Sequence, residues 1–367
     1  MNDIECLLDS ETLKAMKLET KNQWGFTKIL FFVLSALLPG LSVELNWKWE
    51  DQSSGVETSI RALCAVDENV CWFGSGQGTV GRTVNGGKSW ELMVVKGAEE
   101  LEFRDVEAFD AKCCIAMSVG EGTASRIYKT VDGGKNWKRV YQNRAPKGFF
   151  DGIEFWDAKN GILAGDPVDG RLVILRTSDG GATWDAGAGT PKMMDGEHAF
   201  AASGTHLTVA KGGHVWVGSG GRLARVFYSS DFGKSWTIFD TPIIAGEDST
   251  GIFSLSFKDS QSGVAVGGDY TKEAEGERNA MMTKDGGKSW KVVRKGDLSI
   301  FSFRSCVRYI NDQKWVMAVG PDGCDISRDG GEHWEVFGNQ GFHTFSFGGE
   351  MKAIWAAGSD GRIARLR

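Results

Sequence analysis

An eight-residue motif that recurs six times is the feature that most limits how this chain can fold. Each copy follows the pattern Ser/Thr-x-Asp/Asn-x-Gly-x-x-Trp, as in TVDGGKNW at residues 130–137. The copies end in tryptophans that are separated by 47, 47, 52, 54 and 44 residues: Trp90, Trp137, Trp184, Trp236, Trp290 and Trp334. A long motif at a nearly constant spacing indicates a repeat architecture, in which each copy belongs to one structural unit.

The segments between the motifs predict four short strands in each repeat. Runs such as GIEFWD, GILAGD and RLVILRT alternate or cluster apolar residues and are bounded by Gly and Asp, which is typical of strands joined by tight turns. The composition agrees, because the chain contains 50 glycines and 14 tryptophans in 367 residues. Four strands in about 47 residues, repeated around an axis, predict an all-β protein of the β-propeller class.

The number of blades follows from both ends of the repeat region. The last copy is followed by material for three strands only, and the chain stops at Arg367. Trp47 stands 14 residues before Arg61, the same interval that separates Trp90 from Arg104. We therefore expect a seven-bladed propeller at residues 44–367, with four-stranded blades and the last blade closed by an N-terminal strand near residues 44–50. Such closure removes the free sheet edges of an open ring.

The motif itself is predicted to be structural. Its Asp or Asn can accept hydrogen bonds from the N–H groups of its own turn, while the glycines supply positive φ angles and the tryptophan packs on a neighbouring hairpin. A calcium or sugar site at each copy is the alternative, which would require further ligands from elsewhere. The acceptor residues of the six copies are Asn85, Asp132, Asp179, Asp231, Asp285 and Asp329.

Ligand binding is expected on the rim opposite to the motifs. Aligning the starts of the innermost strands brings six positions into register, with Ala201 as the best candidate in the remaining blade: Arg61, Arg104, Asp151, Phe253, Arg304 and His343. A mostly cationic ring at the channel mouth would suit carboxylate or phosphate partners, since arginine binds both in a bidentate manner. The alternative is that these charges pair with one another and with channel water.

Two long loops on the same rim add candidate residues. One loop carries Asp166 and Asp169, which could hold a metal but more often form a turn network. The other, at residues 267–280, carries Asp269 and Tyr270. Long loops on a rigid scaffold often bind partners, so we expect this sector to contribute to a site, without a metal.

Residues 1–43 are predicted to be an N-terminal extension with a signal peptide, because an apolar run at residues 29–38 follows three lysines and precedes small residues. The run is too short to span a bilayer; an uncleaved anchor or a buried helix is the alternative. We expect a periplasmic or extracellular monomer without a membrane span after cleavage. The net charge of −6 argues against nucleic acid. No C-x-x-C pair occurs, and Cys64 and Cys71 could form a disulfide or remain thiols.

The motif resembles the Asp-box (BNR) repeat. Residues 45–367 resemble the photosystem II stability/assembly factor-like propellers, in particular their relatives in non-photosynthetic bacteria. The strings that carry the resemblance include FFDGIEFWDAKNGILAGDPVDGR, FAASGT, GIFSLSFKDSQSGVAVGGDY, RSCV and GRIARL. The resemblance implies a non-catalytic factor without cofactors that binds an envelope protein or an anionic ligand through an arginine-bearing surface.

A sialidase-like glycoside hydrolase is the alternative function, because sialidases share the Asp-box. That class uses three arginines to clamp a carboxylate, a tyrosine nucleophile and acidic partners. Arg61, Arg104 and Arg304 could imitate the clamp, Asp151 the acid and Tyr270 the nucleophile. The Arg-Ile-Pro signature of sialidases is missing, and sialidases have six blades. Sugar binding or lyase activity of another propeller class stays open.

Overall fold

The computed structural model describes residues 47–367 except residues 188, 275, 294–301, 312–313 and 349–352. The chain divides into two units, Met1–Trp47 and Lys48–Arg367, and the second is described below. The predicted signal peptide at residues 1–43 lies outside the described residues. The described part of the chain contains no helix that is long and apolar enough to cross a membrane.

Seven antiparallel sheets, six of four strands and one extended to six, form a seven-bladed β-propeller, as the spacing of the motifs predicted. The first strand, β1 (Trp49–Ser53), belongs to the last blade. Blades 1 to 3 contain β2 (Ile60–Ala65), β3 (Cys71–Ser75), β4 (Thr79–Thr83), β5 (Glu91–Val94); β6 (Glu102–Ala108), β7 (Cys114–Val119), β8 (Arg126–Thr130), β9 (Lys138–Gln142); and β10 (Phe150–Phe155), β11 (Gly161–Val168), β12 (Arg171–Thr177), β13 (Asp185–Ala186). A short 3-10 helix, Gly122–Ala124, precedes β8.

Blades 4 to 7 complete the ring. The two-residue strands β14 (Glu197–His198) and β17 (Gly220–Gly221) extend the sheet of blade 5 at its inner edge. The other strands are β15 (Leu207–Ala210), β16 (His214–Gly218), β18 (Arg225–Ser229), β19 (Thr237–Asp240); β20 (Thr250–Phe257), β21 (Gly263–Asp269), β22 (Ala280–Thr283), β23 (Lys291–Val292); β24 (Cys306–Asn311), β25 (Trp315–Gly320), β26 (Gly323–Ser327), β27 (Glu335–Gly338); and β28 (Thr344–Gly348), β29 (Ala353–Ala357), β30 (Arg362–Leu366).

The N-terminal strand closes the ring, which confirms the predicted closure. β1 pairs antiparallel with β30 and forms the outermost strand of blade 7. The strand covers Trp49–Ser53, somewhat later than the expected residues 44–50. Its pairing with the C-terminal strand joins the two ends of the propeller unit and gives the last blade its fourth strand.

The hydrophobic core lies between neighbouring blades. One buried cluster, for example, joins Ile115 and Met117 of blade 2 to Ile153 and Leu163 of blade 3. Each blade therefore depends on its neighbours for its apolar surface, as expected for a closed ring of repeats.

The six cysteines among the described residues are free thiols, so Cys64 and Cys71 remain thiols and do not form a disulfide.

The inner strands of neighbouring blades are joined by side-chain hydrogen bonds. The N–H of Ile153 donates to Oδ2 of Asp105 at 2.7 Å, and the N–H of Val307 donates to Oγ of Ser254 at 2.9 Å. In each case the donor lies on the innermost strand of the next blade. The inner edge of a blade has no further strand to bond, and these side chains satisfy some of its backbone donors. Burial raises the pKa of Asp105 to about 8.

The six repeated motifs form turns with the same hydrogen bonds. In the second copy, the N–H of Gly134 donates to Oγ1 of Thr130, and the N–H of Asn136 donates to Oδ1 of Asp132, both at 2.9 Å. The other five copies repeat both bonds. Asn85 makes the same bond as the aspartates. The acceptor role predicted for this position is therefore confirmed.

These turns should make the stability of the protein depend on pH. Burial opposes ionisation of Asp179, but hydrogen bonds from Thr183 outweigh it and lower the pKa of Asp179 to about 2. A lowered pKa stabilises the fold above the ordinary value near 4, and this contribution is lost as the pH falls toward 2. Between pH 5 and pH 2 we expect the melting temperature of Asp179→Asn to fall less than that of the wild type, because the variant has no carboxylate to protonate at this position. Melting curves of both proteins from pH 2 to 6 would measure the difference, and the same dependence of melting temperature on pH in both would contradict the prediction.

Candidate functional site

β-bulges lie at four of the seven positions predicted to form the ring. The register between the first and second strands shifts at Arg61, Arg104, Asp151 and Phe253 in blades 1, 2, 3 and 5. A bulge inserts one extra residue into a strand and changes the direction of its side chain. The repeated bulge therefore gives these positions an orientation that differs from that of the regular strand.

A cavity of about 370 Å³ opens at the channel mouth, on the rim opposite to the repeated turns. We call it the mouth cavity. Arg61, Arg104 and His343 line one part of it, as the sequence alignment of the ring predicted. Phe253 and Ala201, the expected members from blades 5 and 4, line it as well. Five of the seven aligned positions thus meet in one cavity.

Two arginines of the mouth cavity lie close enough to affect each other. Burial and the positive charge of Arg104 lower the pKa of Arg61. Nη1 of Arg61 donates one long hydrogen bond of 3.4 Å, to the carbonyl oxygen of Ala202. Arg104 forms an ion pair with Glu102 at 2.9 Å. An anion bound between the two guanidinium groups would offset their repulsion and supply the acceptors that Arg61 lacks.

His343 is neutral at physiological pH. Burial, followed by the charges of Arg61 and Arg104, lowers the pKa of His343 to about 3. Its Nε2 lies 3.1 Å from Oγ of Ser359, so the ring is held by a hydrogen bond on one side. His343 therefore contributes a neutral donor or acceptor to the cavity, and the positive charge comes from the arginines.

A segment of blade 4 crosses the channel beneath this cavity. Residues 199–206 contain no strand, and they form hydrogen bonds with blades 1, 2 and 6. The carbonyl oxygen of Ala201 accepts a hydrogen bond from Arg104 of blade 2 at 3.2 Å. Oγ of Ser203 donates to the carbonyl oxygen of Ser305 in blade 6 at 2.7 Å. The segment thus forms the floor of the mouth cavity and fixes the two arginines through backbone carbonyls.

Aromatic side chains form the opposite wall. The rings of Phe200 and Phe253 stack with centroids 3.8 Å apart, and Phe303 meets Phe253 edge-on at 4.7 Å. Tyr270, 49% exposed, lies next to Phe253, with 6.1 Å between ring centroids. Two carboxylates, Asp248 and Glu273, complete the outer part of the lining. The cavity therefore combines an apolar wall, a cationic wall and an acidic edge.

The prediction that Arg304 belongs to the ring has to be corrected. Its guanidinium is 3% exposed and bonds Asp325 of its own blade, with an Nε–Oδ2 distance of 2.7 Å. The strand register explains the difference: Cys306 takes the place that Ala62 has in blade 1, so Ser305 corresponds to Arg61. Blade 6 has its irregularity later, between Tyr309 and Asn311. Ser305 accordingly lines the mouth cavity.

The other predicted residues are placed outside the lining, apart from Tyr270. Asp151 is buried, and burial together with the charge of Asp166 raises its pKa. Asp166 accepts a hydrogen bond from the N–H of Ala199 at 2.9 Å, which anchors the start of the crossing segment. Asp169 has a φ of 52° in its turn. Asp269 accepts two hydrogen bonds from Thr271. Asp166 and Asp269 thus hold backbone segments through their carboxylates.

Within the described residues, no group of three or more His, Cys, Asp or Glu side chains could hold a metal ion.

The channel below the mouth carries charged side chains that the sequence did not indicate. Glu107, Glu154 and Arg308 occupy equivalent register positions in blades 2, 3 and 6. Burial raises the pKa of Glu154, and the charge of Arg308 opposes this shift.

Several lining residues were likewise missed, among them Phe200, Phe303, Asp248 and Glu273. They lie outside the aligned ring positions and come together only through the loops and the crossing segment. The sequence placed only Phe303 near a predicted ring residue, since it directly precedes Arg304. Nothing in the sequence indicated that the phenyl ring rather than the guanidinium would line the cavity.

No family model and no curated protein matches this sequence. Among solved structures, the chain is similar to YCF48 bound to D1 peptide, with 14% identity, a TM-score of 0.62, and coverage of 86% of this chain and 94% of that chain. YCF48 from Cyanidioschyzon merolae gives 16% identity, a TM-score of 0.63, and coverage of 87% and 98%. The chain shares the YCF48 fold.

A GH74 xyloglucanase from Xanthomonas campestris is also similar, with 12% identity and a TM-score of 0.60. The match covers 86% of this chain and 53% of the enzyme, so this chain spans about half of the enzyme's length. At these identities the likeness shows a shared propeller fold. The same architecture thus occurs in YCF48 and in a xyloglucanase, so the fold by itself does not assign a function.

Proposed function

We propose that this chain is a non-catalytic binding and assembly factor that captures an envelope protein through the mouth cavity. The observation that carries the proposal is the pairing of Arg61 and Arg104 in one cavity, with Arg61 making only a long hydrogen bond. Two neighbouring guanidinium groups with spare donors favour an anionic group of the partner. The crossing segment positions both arginines through the carbonyl oxygens of Ala201 and Ala202.

The aromatic wall supports a protein partner rather than a small inorganic anion. Phe200, Phe253 and Phe303 give the cavity an apolar surface on which a hydrophobic side chain of the partner would pack. Aromatic residues and arginine are enriched at the energetic centres of protein interfaces. The YCF48 structure with a bound D1 peptide supports the idea that a propeller of this fold can receive a polypeptide.

The cellular setting is part of the same proposal. The apolar run at residues 29–38 suggests export, so we place the propeller in the periplasm or outside the cell, as a monomer of the non-photosynthetic bacterial branch. Its partner would then be an envelope or secreted protein. Fractionation of the native host with detection of the mature N-terminus would test the export step separately from binding.

A glycoside hydrolase of the sialidase kind is the second candidate, and one observation favours it. Tyr270, Glu273 and Asp248 line the same cavity as the two arginines, so a phenol and two carboxylates could face a bound anionic sugar. Burial raises the pKa of Glu273, a direction that suits a proton donor. Arg304, the third arginine of the expected clamp, is buried in its own blade and does not line the cavity.

The double variant Arg61→Ala/Arg104→Ala should lose partner capture while keeping its fold. Each charge-assisted hydrogen bond contributes about 1.5–3 kcal/mol, so we expect the amount of partner recovered to fall at least 10-fold. The measurement is quantitative mass spectrometry of envelope proteins retained by immobilised propeller. The matched control is Lys138→Ala/Arg139→Ala, which removes two exposed charges from the outer strand β9 and should have no effect.

Two outcomes would overturn this assignment. Equal recovery by the double variant and the control would show that the mouth cavity does not hold the partner. Hydrolysis of a panel of sialosides and other glycosides by the wild type, abolished in Tyr270→Phe, would establish the hydrolase instead. Melting temperatures of all variants should be measured first, so that a loss of capture can be separated from a loss of folding.

A further inference from the structure

A second cavity, of about 340 Å³, lies between blades 3 and 4. It is on the rim that carries the repeated turns, opposite to the mouth cavity. Its lining includes Trp156, Arg176, Asp185, Phe232 and Lys234. We call it the turn-side cavity. Phe232 and Lys234 belong to the fourth copy of the repeated motif, SSDFGKSW.

Phe232 occupies a position where the other five copies have glycine. The five glycines have φ angles between 71° and 83°, and Phe232 has a φ of 62°. A bulky residue in this left-handed region is uncommon and carries a conformational cost that glycine avoids. Burial does not fully compensate, since 39% of Phe232 is exposed. A strained aromatic residue in a cavity is a reason to look for a ligand. The five glycines are Gly86, Gly133, Gly180, Gly286 and Gly330.

Phe232 and Trp156 form an aromatic corner. Their ring centroids are 5.0 Å apart and the ring planes meet at 64°. The indole is fixed because its Nε1 donates to the carbonyl oxygen of His214 at 2.7 Å. A corner of two rings offers an apolar surface of defined shape rather than a flat patch.

Arg176 lies beside this corner with unused hydrogen-bonding capacity. Basic residues at the same position of other blades bridge to the next repeated turn: Nζ of Lys129 donates to Gly180 at 2.7 Å, and Nη1 of Arg365 donates to Gly86 at 2.9 Å. By the same pattern, Arg176 of blade 3 would donate to the backbone carbonyl oxygen of Phe232 in the turn of blade 4. Within the described residues, however, the side chain of Arg176 forms neither a hydrogen bond nor an ion pair.

Lys234 and Asp185 are also uncommitted. Among the described residues, neither side chain takes part in a hydrogen bond or an ion pair. The turn-side cavity therefore presents two cations and one carboxylate, none of which bonds another group of the described residues, beside an aromatic corner. Its charge balance of two to one favours an anionic ligand.

We propose that the turn-side cavity binds a carboxylated sugar unit of an acidic oligosaccharide. A pyranose ring has an apolar face of C–H groups that packs on an aromatic ring, and hydroxyl groups around its edge. The carboxylate of a uronic acid would bind Arg176 in a bidentate manner, with Lys234 nearby. The hydroxyl groups would donate to Asp185. This arrangement accounts for the strained phenyl ring, the free cations and the single carboxylate together.

The proposal is tested by calorimetric titration of the full chain with a galacturonate trimer, with a neutral glucose trimer as the comparison. We expect the uronate trimer to bind and the neutral trimer to bind at least 10-fold more weakly. Arg176→Ala should weaken uronate binding about 10- to 100-fold, as expected for loss of charge-assisted hydrogen bonds. Lys234→Ala should weaken it several-fold. Lys88→Ala, which changes the same motif position in blade 1, is the matched control and should bind as the wild type does.

Phe232→Gly restores the residue found in the other five copies and separates a ligand role from a packing role. We expect uronate binding to fall at least 10-fold while the melting temperature stays at or above that of the wild type. A wild-type chain that does not bind the uronate trimer at millimolar concentration would overturn the proposal. Unchanged binding in Arg176→Ala or Phe232→Gly would also overturn it, and so would loss of binding in Arg61→Ala/Arg104→Ala, which would assign the sugar to the mouth cavity.

Discussion

Arg304→Ala is expected to lower the free energy of unfolding by about 3–5 kcal/mol, the usual cost of removing one partner of a buried ion pair. Arg304 and Asp325 are both buried, and Nε of Arg304 lies 2.7 Å from Oδ2 of Asp325. Nη1 of the same guanidinium donates to the carbonyl oxygen of Phe303 at 2.8 Å. The variant would therefore remove several buried hydrogen bonds at once and leave a carboxylate in the interior of blade 6.

Urea denaturation of Arg304→Ala, Asp325→Ala and the double variant would measure this effect. We expect the double variant to lose less stability than the sum of the two single variants, because it leaves neither buried charge behind. Arg61→Ala is the comparison, since its arginine lines a cavity and makes one long bond; its stability should stay within about 1 kcal/mol of the wild type. Equal stabilities of Arg61→Ala and Arg304→Ala would contradict the structural role of Arg304.

Trp216→Ala is expected to lower the free energy of unfolding by about 3–5 kcal/mol, as for other large-to-small changes of buried aromatic residues. Trp216 is completely buried between blades 4 and 5. Its indole stacks on Phe257 with ring centroids 3.8 Å apart, and its Nε1 donates to the carbonyl oxygen of Gly286 at 2.9 Å. The variant would lose the stack and the bond to the next repeated turn together.

Two comparisons make this result interpretable. Trp216→Phe keeps an aromatic ring and removes the hydrogen bond, so it should cost clearly less than Trp216→Ala. Trp137→Ala should also cost less, because the last residue of the second motif is only half-buried, at a ring distance of 6.4 Å from Trp72. A melting temperature of Trp216→Ala equal to that of the wild type would contradict the packing role.

The blade count could be predicted because it rests on local chemistry. Each repeated turn needs a hydroxyl, an acceptor and two residues with positive φ within eight positions, and these requirements are visible in TVDGGKNW. The interval from Trp47 to Arg61 placed the closing strand at the N-terminal end, and β1 lies there. The repeated bonds depend on residues no more than four positions apart, so no distant contact was needed to identify them.

The site could be predicted only in part. The alignment brought Arg61, Arg104 and His343 together because their blades keep the same register. It failed for Arg304, because a one-residue shift in register sends a side chain to a different side of the strand. In blade 6 Ser305 takes the position that Arg61 has in blade 1, so Arg304 lies one residue before the ring position.

The sequence by itself determined the repeat, the seven blades, the rim of the turns and the cationic character of two ring positions. Only the tertiary structure decided that residues 199–206 cross the channel, that Phe200 and Phe303 build a wall beside the arginines, and that Phe232 meets Trp156 of the preceding blade. The physical reason is the range of the interactions involved. Turns and strand patterns are set by neighbours in sequence, whereas these contacts join residues from different blades and exist only once the ring has closed.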